Sequence, residues 1–342
     1  MQWMAEVRLR VDARLESYLA GKRESAAALS ADSAELVEAI RVLTMRGGKR
    51  LRPAVLFAAF GAVRSDDDAD DVGPTVDAAA ALEVLQSYLL IHDDWMDGDD
   101  ERRGGPAVHA AFAKRYASAH IGAAVAVLAG DLASAYAWDL LCGSPFPVDR
   151  LPEALTMFGV MQEEVVLGQQ LDLIGAPNVS LMQHLKTGSY TVRGPLGLGA
   201  VLGGGSAEQV SHLMRFGEPL GLAFQLRDDL LGTFGDPRAT GKPAGNDLRA
   251  GKRTALIAAA ERLLPTSARG PLDAVLGSAN ASEIDVAHAT ELLISSGARA
   301  EVERNLQTHV AAARAALEGG SFSTRGRERL GALLALLTER DR

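Results

Sequence analysis

Apolar positions along the chain fall into helix-length runs separated by short breaks. Between Val76 and Ile91 they occupy most of the helical circumference (Leu82, Val84, Leu85, Leu89, Leu90, Ile91), which predicts a helix enclosed by others. The N-terminal stretch, Met1 to Ala20, instead spaces Glu6, Arg8, Arg10, Asp12, Arg14 and Glu16 in a helical pattern. It has no apolar run followed by a small-residue cleavage site, so no signal peptide is expected. The longest apolar stretch, Ile121 to Gly130, is about half the length a bilayer span needs and predicts a core helix, hence no membrane span. Breaks are expected at Ser65–Pro74, Gly143–Pro152, Gly175–Ser180 and Gly203–Gly205. A functional loop is expected over Gly232–Lys252, and a variable surface connection over Pro265–Ser282. None of these resembles a domain linker, so one all-α domain over residues 1–342 is the expectation.

Composition sharpens this picture. Of 342 residues 47% are hydrophobic but only 5% aromatic, and Ala, Leu and Gly dominate, which favours close-packed helices over sheets. A formal net charge of −9 argues against nucleic-acid binding, which needs a basic surface. Cys142 is the sole cysteine, so neither an internal disulfide nor a cysteine-built zinc site is possible. That fits a reducing cytosol, and the thiol is expected to be buried.

Two Asp-Asp pairs, Asp93-Asp94 and Asp228-Asp229, each follow an apolar helical run. In Asp93-Asp94-Trp95-Met96-Asp97 the first and last carboxylates lie one turn apart on one helix face. Alone, such a run is more often a solvated acidic helix end. Near a core, however, the like charges repel unless a divalent cation neutralises them, and oxygen ligands favour Mg²⁺ shared with substrate phosphates. Arg102-Arg103-Gly104-Gly105-Pro106 follows, adding two guanidiniums able to grip phosphate oxygens. Upstream, Gly47-Gly48-Lys49-Arg50-Leu51-Arg52-Pro53 combines backbone freedom, three cations and a helix-starting proline, without the spacing of a nucleotide-binding P-loop. Downstream, Phe224-Gln225-Leu226-Arg227-Asp228-Asp229 is followed by Gly235-Asp236-Pro237, Gly241-Lys242-Pro243 and Gly251-Lys252-Arg253-Thr254. Between them lie Gly168-Gln169-Gln170-Leu171-Asp172 and Lys186-Thr187-Gly188-Ser189-Tyr190-Thr191. Acid-rich helix ends with separate cationic segments imply a polyanionic, metal-bridged ligand held from several sides.

In this order and spacing, the motifs from about Gly47 to Thr254, including Gly130-Asp131, resemble those of the trans-prenyl diphosphate synthases, the family of farnesyl and geranylgeranyl diphosphate synthases. The resemblance implies one helical bundle around a central cavity, usually a homodimer, with the two aspartate motifs facing each other at its mouth. It implies that Asp93, Asp97 and Asp228 ligate Mg²⁺, typically three ions, with Asp94 and Asp229 in support. Arg102, Lys186 and Lys242 would clamp the allylic diphosphate, and Lys49, Arg52, Arg103 and Gln86 would hold isopentenyl diphosphate, with Lys252 a further substrate cation. The Lys186 carbonyl, Thr187 and Gln225 would face the allyl cation. His92 and His109 are read as structural, or as supports behind the ligands, rather than as proton carriers.

Tyr88 lies about 7–8 Å down the helix from Asp93, at roughly 1.5 Å per residue. By resemblance Tyr88, with Leu89 and Leu85 near it, would be the floor beneath a growing chain and would set a C20 product, with C15 the alternative. Spacing alone points Tyr88 roughly 140° away from Asp93. Three features depart from the family: Gly232 where many relatives have an Asp, Asn246 beside Asp247, and a C-terminus without a clearly basic tail. A class I terpene cyclase is disfavoured because its second motif fails at Ala250 and Thr254. A silent regulatory subunit is disfavoured by the intact first motif.

Overall fold

The computed structural model describes residues 2–176, 178–235, 245–278 and 280–339. The chain runs through α1 (Gln2–Ala27), α2 (Ala31–Met45), α3 (Leu51–Ala62), α4 (Val76–Asp97), α5 (Val108–Tyr116), α6 (Ala119–Cys142) and α7 (Leu151–Leu173). After α8 (Val179–Gln183) come a π-helix (His184–Arg193), α9 (Gly194–Gly203) and α10 (Ala207–Phe234). The longer helices beyond are Ala255–Leu263, Glu283–Ser295, Ala298–Glu318 and Thr324–Thr338. Among the described residues the only strands are β1 (Glu101–Arg102) and β2 (Gly105–Pro106), an antiparallel hairpin with Arg102 opposite Gly105. The all-α expectation holds, and the enclosed helix expected at Val76 is α4.

Two compact units divide the chain, and α7 contributes to both. The first comprises Met1–Gly159, Gly194–Val210 and Ser321–Arg327. Its centre is α4, buried from Ala78 through Leu85. Small residues let α6 lie close against it: Ala126, Ala129, Gly130, Ala133 and Ala137 are all buried. At Gly130 a Cβ would fall 2.1 Å from Nε2 of His92, so a side chain there would displace the imidazole. The α3–α9 crossing is equally close, since a Cβ on Gly199 would lie 2.2 Å from the Leu56 carbonyl oxygen.

The other face of α6 departs from expectation. The helix spans 24 residues, well past the Ile121–Gly130 run, and by length and composition it could cross a bilayer. Its inner face packs on α4, but Ile121 and Leu128 are exposed. Cys142, expected to be buried, is also exposed, because it ends the helix one residue beyond the inward-facing Leu140 and Leu141.

The second unit comprises Val160–Arg193, Ser211–Gly320 and Glu328–Arg342. Its core joins Leu226 and Leu230 of α10 to Leu256, Ile257, Leu293, Val302 and Leu306. Ser282 and Asp285 form a capping box at the start of Glu283–Ser295. The loop expected at Gly232 begins later, because α10 continues to Phe234, and a helical turn occupies Asn246–Arg249. The Pro265–Ser282 connection contains two short helical turns, Thr266–Ala268 and Gly270–Asp273.

Candidate active site

In the first unit, α4 ends at Asp97 because Gly98 adopts a left-handed conformation (φ 71°) and its N–H returns to the Asp94 and Trp95 carbonyls. The three aspartates then differ in environment. Asp97 is exposed and Asp93 half-buried, whereas the Asp94 side chain is only 1% exposed. Arg102 reaches back from β1, its Nε donating to Asp94 Oδ1 at 2.6 Å, with Asp99 at 3.4 Å and Asp93 at 3.8 Å. Burial alone would lower the pKa of Arg102, but these aspartates outweigh it and hold the guanidinium firmly charged. Burial likewise raises the pKa of Asp94, with Arg102 opposing the rise. Asp94 Oδ2 is enclosed and has no hydrogen-bond partner among the described residues. A cluster of carboxylate oxygens with an unmatched acceptor is the donor chemistry a hard divalent cation needs. Among the described residues, no three His, Cys, Asp or Glu side chains form a ready cage for a metal.

The hairpin carrying the arginines turns at Arg103 (φ 53°) and Gly104 (φ 72°), the pair of positive φ values that a two-residue type I′ turn requires. Arg46, which sequence reasoning passed over, anchors it: Nη1 donates to the Pro106 carbonyl at 2.7 Å. Gly105 permits this, since a Cβ there would lie 2.5 Å from Arg46 Cζ. Arg103 donates to the Gly47 carbonyl at 3.0 Å, joining the hairpin to the Gly47–Pro53 segment. Burial depresses the pKa of Arg103, and Arg50, Arg52 and Arg102 push the same way.

Of the cations in that segment, Lys49 is exposed, while Arg52 and Arg50 are 8% and 4% exposed. Arg50, counted with the phosphate-binding cations from sequence, is instead turned inward onto Glu83. Nothing in the local sequence signals this, because Glu83 is a single charge within an apolar helix. Gln86 is half-buried on α4, with Leu85 fully buried and Leu89 half-buried. The Tyr88 ring meets His92 edge-on at 5.0 Å, and His92 Nε2 lies 3.1 Å from the Val127 carbonyl of α6. Tyr88 therefore lies on the α6-facing side of α4, while Leu89, one turn before Asp93, shares the stripe of that aspartate. His109 lies 3.3 Å from Asp100.

In the second unit the Asp228-Asp229 pair repeats the pattern of the first, with Asp228 exposed and Asp229 buried. Asp229 accepts hydrogen bonds from Gln183 and Gln225 at 2.7 Å and from the Ala255 N–H at 2.9 Å. Burial pushes its pKa up to about 7 against these three donors. Gln183 was not foreseen; Thr254 caps the helix whose first N–H reaches Asp229. The absent Asp at position 232 has a geometric counterpart: a Cβ on Gly232 would lie 2.0 Å from Asp247 Oδ2. Lys252 is exposed, 3.7 Å from Asp247.

Lys186 and Thr187 lie on the π-helix, a geometry that concentrates at functional sites. Lys186 Nζ donates to Asp172 of α7 at 2.5 Å. Two glycines allow the neighbouring helices to approach: a Cβ on Gly168 would fall 2.3 Å from the Lys186 nitrogen, and one on Gly221 would lie 3.1 Å from Gly188 Cα. Lys242, assigned from sequence to the same clamp, lies outside the described residues, as do Asp236 and Pro237.

Comparison with known proteins bears on family and fold. The family model for polyprenyl synthetases matches residues 33–293. A short chain isoprenyl diphosphate synthase of Methanocaldococcus jannaschii is 33% identical over 265 residues, covering 76% of each chain. A geranylfarnesyl diphosphate synthase of Aeropyrum pernix is 31% identical over 312 residues, covering 87% of this chain and 92% of its own. The crystal structure of geranylgeranyl pyrophosphate synthase from Corynebacterium glutamicum, complexed with isoprenyl diphosphate and magnesium, superposes with a TM-score of 0.89 at 35% identity, covering 100% of this chain and 99% of its own. The chain belongs to the polyprenyl synthetase family, with the all-α isoprenoid synthase fold. Within that class it is a prenyltransferase, a trans-prenyl diphosphate synthase.

Proposed function

We propose that the protein condenses isopentenyl diphosphate head-to-tail with an allylic diphosphate in a magnesium-dependent reaction, extending the chain to geranylgeranyl diphosphate (C20). The observation that carries the metal reading is the shared build of the two aspartate pairs. In each, the second carboxylate is buried and anchored, by Arg102 or by Gln183, Gln225 and the Ala255 N–H. The first remains more open, which suits Asp93, with Asp97, and Asp228 as direct ligands. When bound, magnesium acts as a Lewis acid on the oxygens of the departing diphosphate, three ions being the number the family resemblance implies. The magnesium-bound relative from Corynebacterium glutamicum is consistent with this.

On this reading Arg102 and Lys186, with Lys242, hold the allylic diphosphate as its carbon–oxygen bond breaks. The electron pair leaves with the diphosphate, and the allyl cation faces the Lys186 carbonyl, Thr187 and Gln225. The Gln225 amide is suited to this, because its Nε2 is committed to Asp229 and its carbonyl remains for the cation. The isopentenyl double bond attacks the cation, and the proton lost from the adduct goes to the departed diphosphate. Lys49, Arg52, Arg103, Gln86 and Lys252 serve the isopentenyl diphosphate or its neighbouring phosphates. Tyr88, braced by His92, closes the chain channel together with Leu85 and Leu89.

We further take the enzyme to be a cytoplasmic homodimer formed through the exposed face of α6. Asp139 on this helix supports a soluble role, because it accepts from Tyr18 and Lys22 of α1 at 2.6 and 3.0 Å. The deciding experiment is incubation with Mg²⁺, isopentenyl diphosphate and, in turn, C5, C10 and C15 allylic diphosphates. Linear C20 product is expected; products ending at C15 or C25 correct the length, and cyclic hydrocarbon or no reaction refutes the reading. Asp93→Ala should abolish turnover while leaving the far-UV circular dichroism unchanged. Normal Mg²⁺-dependent turnover by this variant would remove Asp93 from the ligand set.

A further inference from the structure

Glu83 lies on α4, ten residues before Asp93, and is the one acidic or basic side chain between Asp77 and His92. Its side chain is 2% exposed. Oε2 accepts from Arg50 Nη1 at 2.6 Å, while Oε1 is enclosed and has no hydrogen-bond partner among the described residues. Arg50 is itself 3% exposed at the side chain; its Nε donates to Asp12 of α1 at 2.7 Å and its Nη2 to the Thr44 carbonyl at 3.0 Å. A buried ion pair is a poor way to stabilise a core, and one with an unmatched oxygen is poorer still. Apolar side chains of similar volume would serve packing better.

The backbone around this pair is also strained. Arg50 (φ 48°) and Arg103 (φ 53°) are two of the three non-glycine residues with positive φ among those described. Such outliers persist where the surrounding structure fixes them, and they cluster at functional sites. Both guanidiniums converge on Gly48: a Cβ there would lie 3.6 Å from Arg50 Nη1 and 3.6 Å from Arg103 Nη1. Among the charges acting on Arg103, Glu83 favours the cation, whereas Arg50, Arg52 and Arg102 oppose it.

We propose that Glu83 is the positioning residue of the isopentenyl diphosphate subsite, its buried carboxylate fixing Arg50 where that guanidinium meets Arg103 at Gly48. The Gly47–Pro53 segment and the Arg103 hairpin tip are thereby held as one anion cradle, with Asp12 as the outer brace. This rests on the assignment of Lys49, Arg52 and Arg103 to that subsite. Glu83 does not touch the substrate; it acts through the arginines. A residue serving packing alone would, on substitution, change stability and weaken both substrates together.

The test uses the full-length chain with Glu83→Gln, which keeps the shape and removes the charge, and Asp12→Asn, which loosens only the brace. KM is measured for isopentenyl diphosphate at saturating allylic diphosphate and the reverse, with Kd for isopentenyl diphosphate from calorimetry. For Glu83→Gln the isopentenyl diphosphate KM and Kd should rise about tenfold or more, while the allylic KM changes less than about twofold. Asp12→Asn should shift the same pair in the same direction by less. If Glu83→Gln does not fold, the split or its absence in Asp12→Asn decides. Equal rises for both substrates, or no rise, in a series whose wild type condenses them overturns the inference alone. A wild type that does not bind isopentenyl diphosphate overturns both the inference and the subsite assignment beneath it.

Discussion

At position 232 the space that a side chain would enter already holds the Asp247 carboxylate, 2.0 Å from the ideal Cβ. The family pattern places an aspartate here, so Gly232→Asp restores the motif on paper. Geometry gives the opposite expectation. A second carboxylate must displace the first, and two like charges beside buried Asp229 strengthen the repulsion that Asp247 already exerts there. Gly232→Asp should therefore lower kcat about tenfold or more. The exchange Gly232→Asp with Asp247→Gly should recover part of that loss, because contacting residues are not additive. Full activity in the single variant would show that Asp247 moves aside freely. Sequence revealed both the gap at Gly232 and the neighbouring Asp247, but their apposition needs three-dimensional proximity that residue spacing does not give. The same holds for Arg50: as one of three cations in a short segment it reads as a phosphate ligand, and only the buried Glu83 shows that it points inward.

The elements were legible to different degrees, according to how strongly their pattern repeats. The 22-residue α4 emerges from its apolar circumference, and its acidic end points to the candidate site. The π-helix at His184–Arg193 does not emerge, because ten residues of mixed polarity carry no period that separates it from an α-helix. Its trace in sequence is the pair of glycines on the neighbouring helices. Gly168 faces backbone, which cannot yield by changing rotamer, so Gly168→Ala must shift the Lys186 segment bodily. Gly159, earlier on the same helix, offers a control, since a Cβ there would meet only Trp138 at 3.5 Å. We expect Gly168→Ala to lower stability by about 1–3 kcal/mol. Its kcat should fall about tenfold or more, because Lys186 leaves its position. Gly159→Ala should be neutral or stabilising by up to about 1 kcal/mol, since alanine is the better helix former. Equal thermal unfolding and equal kcat for the two variants would show that the π-helix tolerates displacement.

For the molecule as a whole, the order of motifs from Gly47 to Thr254 gave the family, because many short motifs in one register constrain far more than any one does. Assembly is less legible: a buried helix and one that is half-covered in the monomer have the same apolar composition. The structure separates the two faces of α6. Its inner face of glycine and alanine is buried, and its outer face carries Ala124, Leu128, Asp131 and Ala135 at helical spacing, with Leu128 58% exposed. Full burial of a leucine contributes about 1.5–3 kcal/mol, and a two-fold axis counts each contact twice. By the same symmetry, Leu128→Glu would add two carboxylates against each other on a stripe that already carries the exposed Asp131. The side chain already points away from α4, so the fold of the unit should survive the substitution. Wild-type protein is expected to elute at twice the 36.0 kDa chain mass in light scattering. Leu128→Glu should shift that mass to the monomer at micromolar concentration, with helical circular dichroism retained. A monomeric wild type, or a variant that remains dimeric, would mean that the outer face of α6 is not where two chains meet.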